Sequence, residues 1–66
     1  MQITVNGETR QVGEGLTVLA LLEELGLKGK KVAVERNRDI IPKAEHGESV
    51  LHEGDQLEIV TFVGGG

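Results

Sequence analysis

Few residues of this chain are equipped for chemistry. It has no cysteine, two histidines and a single aromatic side chain, Phe62. The group that the sequence offers most openly lies at the end, Phe62-Val63-Gly64-Gly65-Gly66. Glycine loses more conformational freedom on ordering than any other residue, and chain ends fray unless tied down, so three glycines are not there to pack. A tail without side chains can instead thread a narrow channel and present a terminal carboxylate to another protein's active site. The plain alternative is a flexible end with no task of its own. The domain is accordingly read as residues 1–63, with residues 64–66 as a flexible glycine tail.

Two other groupings are weaker. His46 and His52 lie near Glu45, Glu48 and Glu53, but their spacing matches no metal motif and no nucleophile is adjacent, so they are read as surface residues. Lys28, Lys30 and Lys31 make a short basic run after a helical stretch, where solvated lysines also complement the helix dipole. Phosphate binding is the other reading, and the run alone does not favour it.

Composition narrows the classes. With 66 residues and no cysteine, the chain makes one small domain that must hold together by aliphatic packing alone. A net charge of −4 repels phosphate backbones, which argues against nucleic acid as a partner. The same acidity keeps a free domain soluble, and a monomer is expected. The N-terminus has no basic and apolar leader and no run is long enough to span a membrane, so a cytoplasmic protein without membrane attachment is expected.

The elements that must position the tail read clearly. Gln2-Ile3-Thr4-Val5 alternates, and Asn6-Gly7 before Glu8–Val12 predicts a hairpin with a type I′ turn. That register sets Glu8 and Arg10 opposite Val5 and Ile3, tolerable if the second strand is an edge. Thr17 is placed to cap a helix whose Val18, Leu21, Leu22 and Leu25 fall at i, i+3, i+4 and i+7. Gly26 suits a left-handed ending with Leu27 packed back on Leu22. Val32–Arg36 reads as a strand, Asn37-Arg38-Asp39 as a turn, and Ile40-Ile41 as a short strand halted by Pro42. Residues 43–54 are irregular, with Val50 and Leu51 expected to anchor them. The last strand, Gln56–Val63, puts Leu57, Ile59 and Thr61 on one face and Glu58, Val60 and Phe62 on the other.

The order β-β-α-β-β-β with one helix predicts an α+β fold, a β-grasp roll. Its mixed sheet of four to five strands carries the helix on one face, with the first and last strands parallel at its centre. The expected core is Ile3, Val5, Val12, Val18, Leu21, Leu22, Leu25, Val32, Val34, Leu57 and Ile59. The face opposite the helix should be polar. Val60 and Phe62 break that rule beside the tail, and with Val63 they are read as a partner interface.

A domain of this size ending in glycines resembles the ubiquitin-like sulfur carriers, and among them the ThiS family of thiamin biosynthesis. The resemblance runs through Ile3-Thr4-Val5-Asn6-Gly7-Glu8, the leucine-rich helix ending at Gly26, Val32-Ala33-Val34, Ile41-Pro42, Gly54–Val60 and the Phe-Val-Gly-Gly-Gly ending. It implies a protein substrate and not an enzyme. An E1-like adenylyltransferase (ThiF) would activate the Gly66 carboxylate with ATP and magnesium. A sulfurtransferase or cysteine desulfurase route would convert it to a thiocarboxylate, and thiazole synthase (ThiG) would take the sulfur. No permanently bound cofactor is implied, and no catalytic residue. A related carrier for molybdopterin, a protein modifier joined through Gly66 to lysine, and a β-grasp binding module with an incidental tail remain the alternatives.

Overall fold

The computed structural model describes residues 1–62; Val63, Gly64, Gly65 and Gly66, and with them the expected tail and domain boundary, lie outside the described residues. Strands β1 (Gln2–Val5) and β2 (Glu8–Gln11) form the first hairpin, and helix α1 (Val18–Glu24) follows. β3 (Val32–Arg36) and β4 (Asp39–Ile41) form a second hairpin, a 3₁₀ turn spans Lys43–Glu45, and β5 (Gln56–Thr61) comes last. The sheet has the order β2-β1-β5-β3-β4, so the final strand sits in the middle. β5 runs parallel to β1 and antiparallel to β3. This is the α+β, β-grasp arrangement expected from the sequence.

Local chemistry accounts for each element. Asn6 and Gly7 have φ of 50° and 84°, the two positive values that a type I′ turn requires, and Val5 pairs with Glu8 and Ile3 with Arg10. The polar partners are tolerated because β2 is an edge. Thr17 Oγ1 accepts from Ala20 N at 3.1 Å at the start of α1. At its end Gly26 has φ 75°, Gly26 N donates to Glu23 O and Leu27 N to Leu22 O at 2.8 Å, which is the paired hydrogen bonding of a Schellman ending.

The helix covers one face of the sheet. Ile3, Val18, Leu21 and Val34 are fully buried there, joined by Val5, Leu22, Leu57 and Ile59. Three of the expected core residues, Val12, Leu25 and Val32, are only half-buried: Val12 and Leu25 lie just past the ends of β2 and α1, and Val32 is the first residue of β3. Ile41 and Leu51 complete the core in their stead. Ile41 is directly opposite Val34 and so shares its inward face, while Ile40 points outward.

Residues 43–54 differ most from expectation. Leu51 anchors the segment, but Val50 is exposed, its backbone engaged in a bridge with Thr17. Extended chain alternates its side chains, so both could not point inward. His46 is buried, contrary to the surface position expected of it. The 3₁₀ turn folds it under, where its Nε2 lies 3.1 Å from the Ile41 carbonyl oxygen and its own carbonyl accepts from Leu19 N. β5 ends at Thr61, before Phe62, since Thr61 faces Val32, the first residue of β3; the expected end at Val63 lies outside the described residues. Asp39 belongs to β4 and not to the turn, which is carried by Asn37 and Arg38 alone at φ of 52° and 75°.

The Asn6 side chain closes the first hairpin onto β5, with Oδ1 accepting from Ile59 N at 2.7 Å and Nδ2 donating to Ile59 O at 3.1 Å. Replacing Asn6 by glycine keeps the turn conformation and loses only this amide, so the cost should be about 1–3 kcal/mol. Asn6→Ala should cost a further ~1 kcal/mol because alanine resists positive φ. Urea melts of the two variants beside the parent check both steps.

Candidate functional site

The site is the end of β5, and its position is set by what holds that strand. Leu57 and Ile59 point into the core, which fixes the register, since a slip by one residue would expose both. β1 pairs with β5 only at Gln56 and Leu57. Past that point β1 turns away and the Asn6 amide takes its place at Ile59. At the other end Asn37 Oδ1 accepts from Gln56 N at 3.0 Å and its backbone N donates to Gln56 O at 2.7 Å. Asn37 Nδ2 in turn donates to Oδ1 of the buried Asp55, whose Oδ2 accepts from His52 N. The strand that leads to the glycines is therefore gripped at its start and past its midpoint by asparagine side chains.

Beyond this grip the chain is exposed. Val60 and Phe62 have 51% and 61% of their surface accessible. Phe62 N still donates to Lys31 O at 3.0 Å, the last described tie before residues 63–66. The two side chains do not share one face as strand alternation implied. Val60 lies opposite Ala33 on the face away from α1. Phe62 is past the strand end and borders a hollow of about 670 Å³ with Leu19, Leu22, Leu27 and Val32. Val63, the third expected interface residue, and Gly64, Gly65 and Gly66 lie outside the described residues.

Sequence reasoning missed one member of the open face. Ile40 is 67% exposed and lies opposite Glu35 on the side where Val60 stands. The signal was present: of two adjacent isoleucines in a strand, one must face outward. The histidines are not brought together as a reactive pair, since His46 is buried against the Ile41 carbonyl and His52 is exposed. Among the described residues no group of three or more His, Asp or Glu is placed to hold a metal ion. What this site can do is fix the point from which residues 63–66 start, beside exposed apolar side chains.

A family model described as the ThiS family matches residues 3–66. The chain belongs to the ThiS family. The sulfur carrier protein ThiS of Escherichia coli is 32% identical over 66 residues, which is the whole of both chains. The crystal structure of the thiamine biosynthesis protein ThiS from Geobacter metallireducens superposes with a TM-score of 0.84 at 33% identity and covers 100% of each chain. A thiazole synthase of Paramagnetospirillum magneticum is 50% identical over 66 residues, but the chain spans only 20% of that protein's length. ThiS family members thus occur at this length and as a stretch matching a much larger protein. No helix among the described residues is long and apolar enough to cross a membrane.

The exposure of Val60 and Phe62 gives a direct expectation. Val60→Ala and Phe62→Ala should each lower folding stability by less than ~1 kcal/mol, against about 3–5 kcal/mol for a buried phenylalanine. Urea denaturation of both variants measures this, and a loss of the larger size would return Phe62 to the core.

Proposed function

We propose that this chain is a sulfur carrier for thiazole formation in thiamin biosynthesis, a protein substrate that works through its C-terminal glycine. The observation that carries the reading is the match over the whole chain with a sulfur carrier protein ThiS, beside the fold shared with a thiamine biosynthesis protein ThiS. A carboxylate is a poor electrophile, so the first step is its activation. The Gly66 carboxylate attacks ATP at the α-phosphorus, pyrophosphate leaves, and an acyl-adenylate forms on an E1-like adenylyltransferase of the ThiF type. ATP and magnesium enter with that enzyme and not with the carrier. The outer sulfur of a persulfide on a sulfurtransferase or cysteine desulfurase then attacks the acyl carbon and displaces AMP. A thiol cleaves the resulting acyl disulfide, forming a new disulfide on the donor side and leaving a thiocarboxylate on Gly66. A chain with no cysteine has no side-chain thiol to load, so the terminus is where sulfur would ride.

The fold suits this task. The tail needs room to enter an enzyme, and glycines at 64, 65 and 66 have no β-carbon to obstruct it, extending about 3.3 Å per residue. β5 supplies a fixed starting point, while Val60 and Phe62 flank that point as contacts for the enzyme. The 50% identity to a stretch of a thiazole synthase supports thiazole synthase (ThiG) as the acceptor over a molybdopterin pathway. We place the work in the cytoplasm, with the free carrier a monomer.

Two measurements test the reading. Deleting Gly66, or adding one residue after it, should abolish ATP–pyrophosphate exchange with the cognate adenylyltransferase while the urea melt stays unchanged; undiminished exchange by the shortened protein overturns it. Gly65→Val should fold normally yet exchange slowly, because a β-branched side chain stiffens and widens the tail. Mass spectrometry of the protein from its native host separates the alternatives, since a carrier shows oxygen replaced by sulfur at Gly66 and a modifier leaves glycine remnants on other proteins' lysines.

A further inference from the structure

The chain carries four lysines, at positions 28, 30, 31 and 43, within a net charge of −4. All four border a hollow that Phe62 also borders, and among the described residues no Asp or Glu borders it. Three come from the connection after α1; Lys43 comes from the 3₁₀ turn that follows β4, so the gathering is made by the fold and not by the sequence run alone. Lys28 is paired with Glu23 at 3.3 Å; among the described residues Lys30, Lys31 and Lys43 have no such ion pair. The wall beneath them is apolar, with Leu19 at 42% and Phe62 at 61% exposure beside Leu22 and Leu27. An acidic protein has thus set its lysines around an apolar recess, at the point where the chain runs on into residues 63–66.

We propose that this hollow is the docking site for an acidic segment of the enzyme that receives the tail, one presenting a single large apolar side chain between carboxylates. The inference rests on the carrier reading above and adds the chemistry of the contact. Charge complementarity selects the occupant: a basic or neutral segment would leave the lysines uncompensated, whereas carboxylates on either side of an apolar anchor match both the rim and the wall. The volume, about 670 Å³, admits one large side chain with its flanking residues and not a whole domain. Long-range attraction to such a segment also orients the otherwise acidic carrier, so that the edge bearing the tail arrives first.

The test compares two double variants with the same change in charge, Lys30→Glu with Lys43→Glu inside the hollow, and Arg10→Glu with Arg38→Glu outside it. Binding of each to the cognate adenylyltransferase and to thiazole synthase is measured by calorimetry at low and high salt. The lysine variant should weaken at least one complex by about tenfold or more and flatten its salt dependence, while the arginine variant stays within about twofold of the parent. Leu19→Ser should weaken the same complex at both salt concentrations, since it removes wall and not charge. Unchanged affinity in the lysine variant overturns the proposal, as does equal weakening by both double variants, which would make the effect one of net charge. Two other occupants would overturn it as well. Saturable NMR shifts at Lys30 and Lys43 with inorganic pyrophosphate alone would mark a small-anion site, and self-association of the parent lost in the lysine variant would mark a second copy. If the parent binds neither enzyme and gains no sulfur in its host, the carrier reading falls too; a parent that binds and is loaded while the variants behave like it sinks the docking site alone.

Discussion

Asn6 satisfies both backbone groups of Ile59 from a turn that lies 53 residues away in the chain. The geometry that allows this is demanding. The residue must sit at positive φ to close a type I′ turn, which excludes most side chains, and must also carry a donor and an acceptor on one short amide. Asparagine does both. Ile59 is almost fully buried, so without the amide its N–H and C=O would lose partners that only water entering the hollow beside Glu8, Thr9 and Arg10 could replace. The chain can then turn from β1 into β2 without stranding β5. β5 stays paired with β3 as far as Thr61, two residues past the Asn6 amide, and the proposed working end follows it.

Asn37 repeats the device on the other side. Its turn has the same left-handed pair of residues, its backbone and side chain hold Gln56, and Asp55 locks it from below. Arg38 takes φ of 75° with no hydrogen-bonding side chain of asparagine's kind to ease it, a strain of roughly 1–2 kcal/mol that the surrounding pairs offset. Glu35 and Glu58 add a further unfavourable element, since they stand directly across from one another on the open face. The middle of the sheet is thus held by a few specific polar contacts and a small aliphatic core, while its exposed side carries features that folding alone does not call for.

How much of this the sequence disclosed depended on how local each signal was. Asn6-Gly7, Thr17, Gly26 and the leucine stripe act over a few residues, and each element they imply is present within two residues of its expected bounds. The central place of β5 followed from the element order together with its apolar alternation. His46 was misplaced because burial there depends on a 3₁₀ turn with no periodicity to announce it. Val50 was misplaced because a pair of apolar neighbours does not say which one points inward. The side-by-side arrangement of Lys43 with the earlier lysines was invisible for a different reason: it arises from two connections separated by a whole hairpin, and no spacing rule joins them. The face shared by Ile40 and Val60 needed the pairing of both strands with β3.

The parallel contact between Thr4 and Gln56 has a bearing on how the protein is made. Synthesis proceeds from the N-terminus, so the ribosome releases two hairpins and a helix before the strand that belongs between them exists. Until β5 emerges, the inner edges of β1 and β3 have no partner and the core lacks Leu57 and Ile59. A chain cut short before that point has nothing to assemble around and is left as exposed strand edge, open to proteolysis. Truncated copies that lack the last strand are therefore removed and do not persist as folded domains.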